Sequence, residues 1–422
     1  MSRIHHKSNM TRKSLRPKGE EKEDRDEHGS SLDCLPDDVL YVILLKLDIQ
    51  SLGRVCRTCR RLRSLAEADF VWTRHGEQNT LIQESSWCDQ KQKIVSKHTE
   101  CSYKEKIRLS YNWEAGVFQS TVITQNPVKQ MPWLRFDETG LWVSSEQHIK
   151  CFSTRRHRGP KHHLHTLGGV KHDVTHFTLQ GESVIAGCSD GSIVRWNKTS
   201  EKPTFTYKVH DDHIHKVDVR ENLIFSGSAD NTIRITDTDQ LAAKSRVVKV
   251  IEVEERVWSV AVSPDGRWCV GGTAASTDET PPLIVWDVES LTKFCNLGTQ
   301  HKKGAGVFDM KFESPNLLLT SGYDTVIRLW DMRTHTCVCN WVEPFDYANY
   351  CIQSDNNMAM FTGTARSSMT RLWDKRKSKP VGIYHPPGRR RDSPVYSIAY
   401  DTSKLFVALD LSIHMLDFSV NR

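Results

Sequence analysis

"LLTSGYDTVIRLWD", residues 318–331, reads as two short strands joined by a tight turn. Apolar Leu318 and Leu319 lead into Gly322–Asp324, a turn signal, and Val326, Ile327 and Leu329 then carry a strand that closes on Trp330–Asp331. The same layout returns in "VIAGCSDGSIVRWN" (184–197), "LIFSGSADNTIRITD" (223–237) and "FTGTARSSMTRLWD" (361–374), with shorter versions in "PPLIVWD" (281–287) and "LDLSIHMLDF" (409–418). The position of Trp330 is held in turn by Phe152, Trp196, Thr236, Trp286, Trp330, Trp373 and Leu416, at gaps of 44, 40, 50, 44, 43 and 43 residues. Seven units of this length, each too small to bury its own apolar face, predict a closed ring of four-stranded blades, a β-propeller.

Within each unit an apolar strand, such as "VWSVAV" (257–262), "VFDMKF" (307–312) or "VYSIAY" (395–400), precedes the pair just described. The turn aspartate sits six residues before the closing position: Asp190–Trp196, Asp230–Thr236, Asp324–Trp330 and Asp410–Leu416. A carboxylate there can accept the indole N–H and backbone donors, so these aspartates, with Trp286, Trp373 and His210, are expected to be structural. The gap of 50 reflects a longer turn in unit four, "TAASTDETPP" (273–282), a length change that costs little in a surface loop. The last unit ends at 418 one strand short, while "GVFQSTVITQ" (116–125) has no partner of its own. That strand is expected to complete blade seven and close the ring, leaving no open edge at the junction.

The bulk properties exclude several classes. No apolar run approaches the ~20 residues of a membrane-spanning helix; the longest are "YVILLKL" (41–47) and "LFVAL" (405–409). No apolar signal segment follows the N-terminal methionine, so the 12 cysteines are expected as thiols in a reducing compartment, cytoplasmic or nuclear. A net charge of +6 is too diffuse to argue for nucleic acid. No phosphate loop, nucleophile elbow or H-E-x-x-H motif is present, and no cofactor is expected. Residues 1–33, basic then acidic and poor in apolar side chains, are expected to be a disordered tail.

Between tail and repeats, "CLPDDVLYVILLKLDIQSLGRVCRTCRRLRSLAEADFVWTR" (34–74) is helical in pattern. Pro36 with Asp37 and Asp38 marks a helix start, and Val39, Leu40, Ile43, Leu44 and Leu47 recur at helical spacing. A second helix is expected from a cap at Ser51, with Leu52, Val55, Cys56, Cys59 and Leu62 on its apolar side and the arginines of "RVCRTCRRLR" (54–63) facing out. Zinc at Cys56 and Cys59 would need two more ligands, Cys88, His98 and Cys101 being nearest, whereas small buried thiols need none; no metal is expected. About forty residues of short helices cannot bury this much apolar surface alone, so part of it should meet a partner.

Leu35–Pro36, the Ile43/Leu44/Leu47 helix, Asp48 with Leu52, Val55–Arg57 and Trp72 resemble an F-box. Together with the repeats, the chain resembles the F-box/WD-repeat proteins. The resemblance implies a small all-α F-box at 34–75, a helical linker at 76–115 and a seven-bladed propeller at 116–422. It departs from the family pattern at Ala186, where Ser or Thr is usual, at Thr236 for Trp, and in the scarcity of the histidine that unit three keeps as His210.

By that resemblance the protein is a non-catalytic substrate receptor of a cullin ubiquitin ligase, its F-box docked on the Skp adaptor and its propeller holding target proteins, phosphorylated or not. A WD-repeat scaffold without ligase function is the alternative. The adaptor-facing set is then Leu35, Pro36, Val39, Leu40, Ile43, Leu44 and Leu47, with Leu52, Val55 and Leu62 shared between contact and core. Candidate target-binding cations on the loops of one rim are Arg256, Lys302, Lys303, Arg389, Arg390 and Arg391. Arg195, Arg234, Arg328 and Arg371 lie in the closing strands and are expected to pack between blades.

Overall fold

The structure, a computed structural model, describes residues 32–82, 102–154, 162–238, 247–298, 301–387 and 392–420. The chain forms two compact units, one ending at Val71 and the other beginning at Trp72. Of the tail expected at 1–33, residues 1–31 lie outside the described set.

The first unit is helical. After a short 3-10 turn (Leu32–Cys34) come α1 (Asp37–Leu44), α2 (Ile49–Val55), α3 (Arg60–Ala66) and the start of α4 (Asp69–Asn79). Pro36 caps α1, and Asp37 and Asp38 fill its first turn, where carboxylates meet the positive end of the helix dipole. The expected cap at Ser51 is corrected: Asp48 caps α2, its carboxylate accepting the Ser51 N–H at 2.7 Å. The single helix expected through both cysteines is also corrected. After Val55 the backbone tightens into i→i+3 bonds from Arg57 to Arg54 and from Thr58 to Val55, Thr58 also turns its hydroxyl back to the Val55 carbonyl, and α3 begins afresh with Cys59 as its cap.

The second unit carries α5 (Tyr103–Ala115) and the ring. Seven antiparallel sheets of four strands each occupy residues 134–167, 174–208, 214–252, 257–297, 307–342, 349–384 and 397–417. The last range supplies three strands; the fourth is Gln119–Gln125, paired with Ser412–Asp417. In each blade the first strand lies innermost, against the first strand of the next blade. Side chains rivet these neighbours. Asp218 accepts the Val262 N–H at 2.8 Å, Asp309 the Ile352 N–H at 2.9 Å, and Ser397 the Leu134 N–H at 3.1 Å. Nearer the axis, buried Lys216 of blade three pairs with buried Asp309 of blade five.

Between blades the cores are apolar. Trp196, Trp286, Trp330 and Trp373 each pack into the cluster shared with the preceding blade. In five blades the pairing of third and fourth strands shifts at the closing position: Phe152, Thr236, Trp286, Trp330 and Trp373. One bulge thus turns this side chain inward whatever its identity. Where that side chain is Leu416, α5 brings another indole. Trp113 stacks on Phe418 at 3.5 Å in the cluster between blades six and seven.

Candidate functional site: two recognition surfaces

In the helical unit, α1 is apolar on two sides. Leu40 and Leu44, expected to face the adaptor, are buried and are corrected to core, and Leu52 of α2, expected to be shared between contact and core, is buried as well. Val39, Val42 and Ile43, at i, i+3 and i+4, stand 44%, 56% and 37% exposed on a separate strip. Pro36 is also exposed, and Leu35, Leu47, Val55 and Leu62 are half-buried. Leu32 and Leu45 add exposed apolar surface that the single-stripe reading missed. The signal was in "VLYVILL" (39–45), which has no polar face except the Tyr41 hydroxyl. A helix apolar all round must divide its side chains between a core and a partner.

The arginines hold this surface in place. Arg61 of α3 pairs with Asp37 and donates to the Leu35 carbonyl at 2.8 Å, fixing the start of α1. Arg63 donates to the Cys56 carbonyl at 2.8 Å. Cys56 is buried, and the Cys59 thiol accepts the Leu62 N–H at 3.4 Å. Cys88, His98 and Cys101 lie outside the described residues, among which no three potential ligands cluster for a metal.

In the ring, the turn aspartates bind their own turns. Asp190 accepts the backbone N–H and hydroxyl of Ser192, Asp324 accepts the Val326 N–H and pairs with Arg328, and Asp410 pairs with Lys129. Neither Asp190 nor Asp324 takes the indole proton expected of it, and Asp410 stands six residues before Leu416, which has none. Trp330 donates to the Thr320 hydroxyl and Trp373 to the Thr362 hydroxyl, both at 3.0 Å. Blade two has Ala186 at the position of Thr320, and there Trp196 donates instead to the Gly168 carbonyl at 2.8 Å. Blade three, without the indole, uses His210, whose ring contacts Asp230 at 2.9 Å and Ser226 at 2.7 Å. Burial lowers the His210 pKa against the opposing pull of Asp230, which keeps the ring neutral at pH 7. The four strand arginines bond within the ring: Arg195 to Ser183, Arg234 to Asp211 and the Val209 carbonyl, Arg328 to Asp324, and buried Arg371 to Glu343.

Arg256, Lys302 and Lys303 are exposed on the loops that lead into blades four and five. Arg389, Arg390 and Arg391 lie outside the described residues. The same rim holds a feature that the sequence reading passed over. In blades two to six the innermost strand opens with a buried residue, then one residue that the pairing skips, then the next inward one. The skipped residues are Thr175, His215, Trp258, Phe308 and Tyr350 in blades two to six, and Tyr396 stands at the matching place in blade seven.

The aromatic members form a continuous arc. Trp258 and Phe308 stack at 4.4 Å with an interplanar angle of 17°. Phe308 meets Tyr350 at 4.8 Å, and Tyr350 meets Tyr396 at 6.1 Å. Tyr323, 45% exposed on the blade-five turn, covers Phe308 at 4.7 Å. Burial, reinforced by Tyr323, pushes the Tyr350 phenol up to about 12, so it is a neutral donor at pH 7. The signal lay in the second letters of "VWSVAV", "VFDMKF" and "VYSIAY", legible only when those strands are aligned with one another.

The F-box-like family model matches residues 32–78, and the WD domain, G-beta repeat model matches 201–237, 246–280 and 294–331. F-box/WD repeat-containing protein 4 of Homo sapiens is 32% identical over 397 residues, covering 92% of this chain and 93% of that protein. The Mus musculus protein of the same name is 32% identical over 391 residues, covering 91% and 92%. WD repeat-containing protein 91 of Xenopus tropicalis is 28% identical over 142 residues, 29% of this chain and 18% of its own.

Proposed function

Given that the chain belongs to the F-box/WD repeat-containing protein family, we propose that it is the substrate-recognition subunit of an SCF-type cullin ubiquitin ligase. The helical unit docks on the Skp adaptor, and the propeller binds target proteins that are then ubiquitylated and degraded. The observation that carries this reading is the strip of Val39, Val42 and Ile43, exposed on a helix whose other apolar side fills the core. Such a strip fits a hydrophobic groove on a partner. The protein supplies no chemistry itself; a ubiquitin-conjugating enzyme brought close to the target does so, through the gain in effective concentration. The reading places the protein in cytosol or nucleus, where that conjugation machinery works.

The test is co-purification of the full chain with the Skp adaptor and cullin. Val39→Asp with Ile43→Asp should remove both partners and leave thermal unfolding of the chain unchanged. Loss of roughly 2 kcal/mol or more per buried apolar anchor is typical of interface centres. A complex retained by the double variant, or one that forms without the adaptor, would make the protein a scaffold instead.

A further inference from the structure

The aromatic arc sits where the receptor reading needs a target site, and its chemistry narrows what that target presents. Four neighbouring blades contribute Trp258, Phe308, Tyr350 and Tyr396 at one structural position, with Tyr323 over them. All five retain solvent access. An arginine stands beside the arc at two separate places. Arg256 is exposed two residues before Trp258, and Arg366, exposed on the blade-six turn, acts electrostatically on Tyr350. Building on the receptor reading, we propose that this arc holds an unphosphorylated acidic peptide segment of the target, with aromatic or branched apolar side chains against the rings and a carboxylate at Arg256 or Arg366.

Three observations select this ligand. A basic segment would meet two arginines already in place, and the carboxylate that acts on the arc, Asp410 at Tyr396, is already paired with Lys129. A phosphate reader brings several guanidiniums to one point for bidentate contacts, whereas among the described residues the two beside the arc, Arg256 and Arg366, belong to different blades, with Trp258, Phe308 and Tyr350 between them. Single-stranded nucleic acid needs free ring faces for its bases and a row of cations for its backbone. Here Trp258 and Phe308 already stack on one another, leaving edges and flanks for apolar side chains.

The test uses the purified full chain against a displayed library of random unphosphorylated twelve-residue peptides. Enriched sequences should place Trp, Tyr, Phe or Leu within a few residues of Asp or Glu. By fluorescence anisotropy, a synthetic consensus peptide should bind about tenfold or more weakly to Phe308→Ala, as for an interface centre. Tyr323→Ala, at an exposed turn where folding is not at stake, should weaken it several-fold, as should Arg366→Ser. No enrichment, a basic consensus, or binding unchanged in all three variants would overturn the proposal. So would tighter binding of the phosphorylated consensus, or of oligo(dT), than of the plain peptide. None of these results bears on adaptor co-purification, so a failed ligand class and a failed receptor role are told apart.

Discussion

Blades three and six perform the same structural task with different residues. Blade six keeps Trp373, its indole bonded to Thr362 and packed among Leu319, Ile327, Trp341, Ile352 and Met360. Its turn carries no aspartate: Ser367 stands six residues before Trp373, where blades two, three, five and seven have Asp190, Asp230, Asp324 and Asp410. Blade three has Thr236 for the indole, an aliphatic boundary with blade two, and the His210–Ser226–Asp230 chain instead. A blade can therefore be anchored either by a large buried ring or by a polar chain, and losing one element of the repeat does not unmake the fold.

The largest expected break in that comparison is Trp373→Ala, which removes a fully buried ring and should cost about 3–5 kcal/mol, read as a lowered midpoint in denaturant unfolding. His210→Ala should cost about 1–3 kcal/mol, because Ser226 and Asp230 lose a buried partner. If both substitutions cost the same, ring and chain are not the distinct anchors described. Thr362→Val sharpens the contrast by leaving the Trp373 N–H unpaired inside the ring. A loss of about 1–2 kcal/mol is expected, against almost none for the same change at Thr236, whose buried hydroxyl has no hydrogen-bond partner among the described residues.

A pH series separates the two anchors further. Burial holds His210 below the ordinary histidine value of 6.5 and His215 at about 4. Both rings are neutral in the fold and become charged in the unfolded chain, which binds more protons below ~6.5. Stability is thus complete above that pH and declines as pH falls toward the folded-state values. His210→Ala should decline less steeply than the parent over that window, and Trp373→Ala in parallel with it. The smallest effect concerns the residue after the turn aspartate in blades two, three and five. It adopts positive φ as Gly191 (85°), Asn231 (63°) and Thr325 (64°), a conformation that a β-branched side chain resists. Thr325→Asn should raise the melting temperature, by a gain of up to about 1 kcal/mol.

The ring was legible because its punctuation is chemical. A glycine or aspartate at the turn and a tryptophan about forty-three residues on leave little freedom in register. The bonds inside each blade were less so. Whether an indole finds a hydroxyl or a carbonyl depends on position 186, 320 or 362 across the sheet, which spacing along the chain does not reveal. The break between α2 and α3 escaped because "CRTC" (56–59) holds neither glycine nor proline; a hydroxyl and a thiol supply the stop and the start. The exposed apolar strip of α1 was half legible, since apolar spacing locates a helix but does not say which of two apolar sides turns inward. The arc was hidden by its spelling: Thr, His, Trp, Phe, Tyr and Tyr share a place in the fold and no letter in common.

The seam of the ring has a consequence for synthesis. Strand 119–125 pairs only with 412–417, Asn112 of α5 donates to the Phe418 and Val420 carbonyls, and the Trp113 indole donates to the Thr402 carbonyl. Some three hundred residues are thus translated before the partner of strand 119–125 emerges, and until then the chain carries an unpaired strand and a Trp113 that blade six, through Phe361 and Tyr384, covers only in part. A premature stop that removes only the last dozen residues would leave six blades intact in sequence and the seam unmade. Such a product would be cleared as a misfolded chain, not kept as a receptor of reduced affinity.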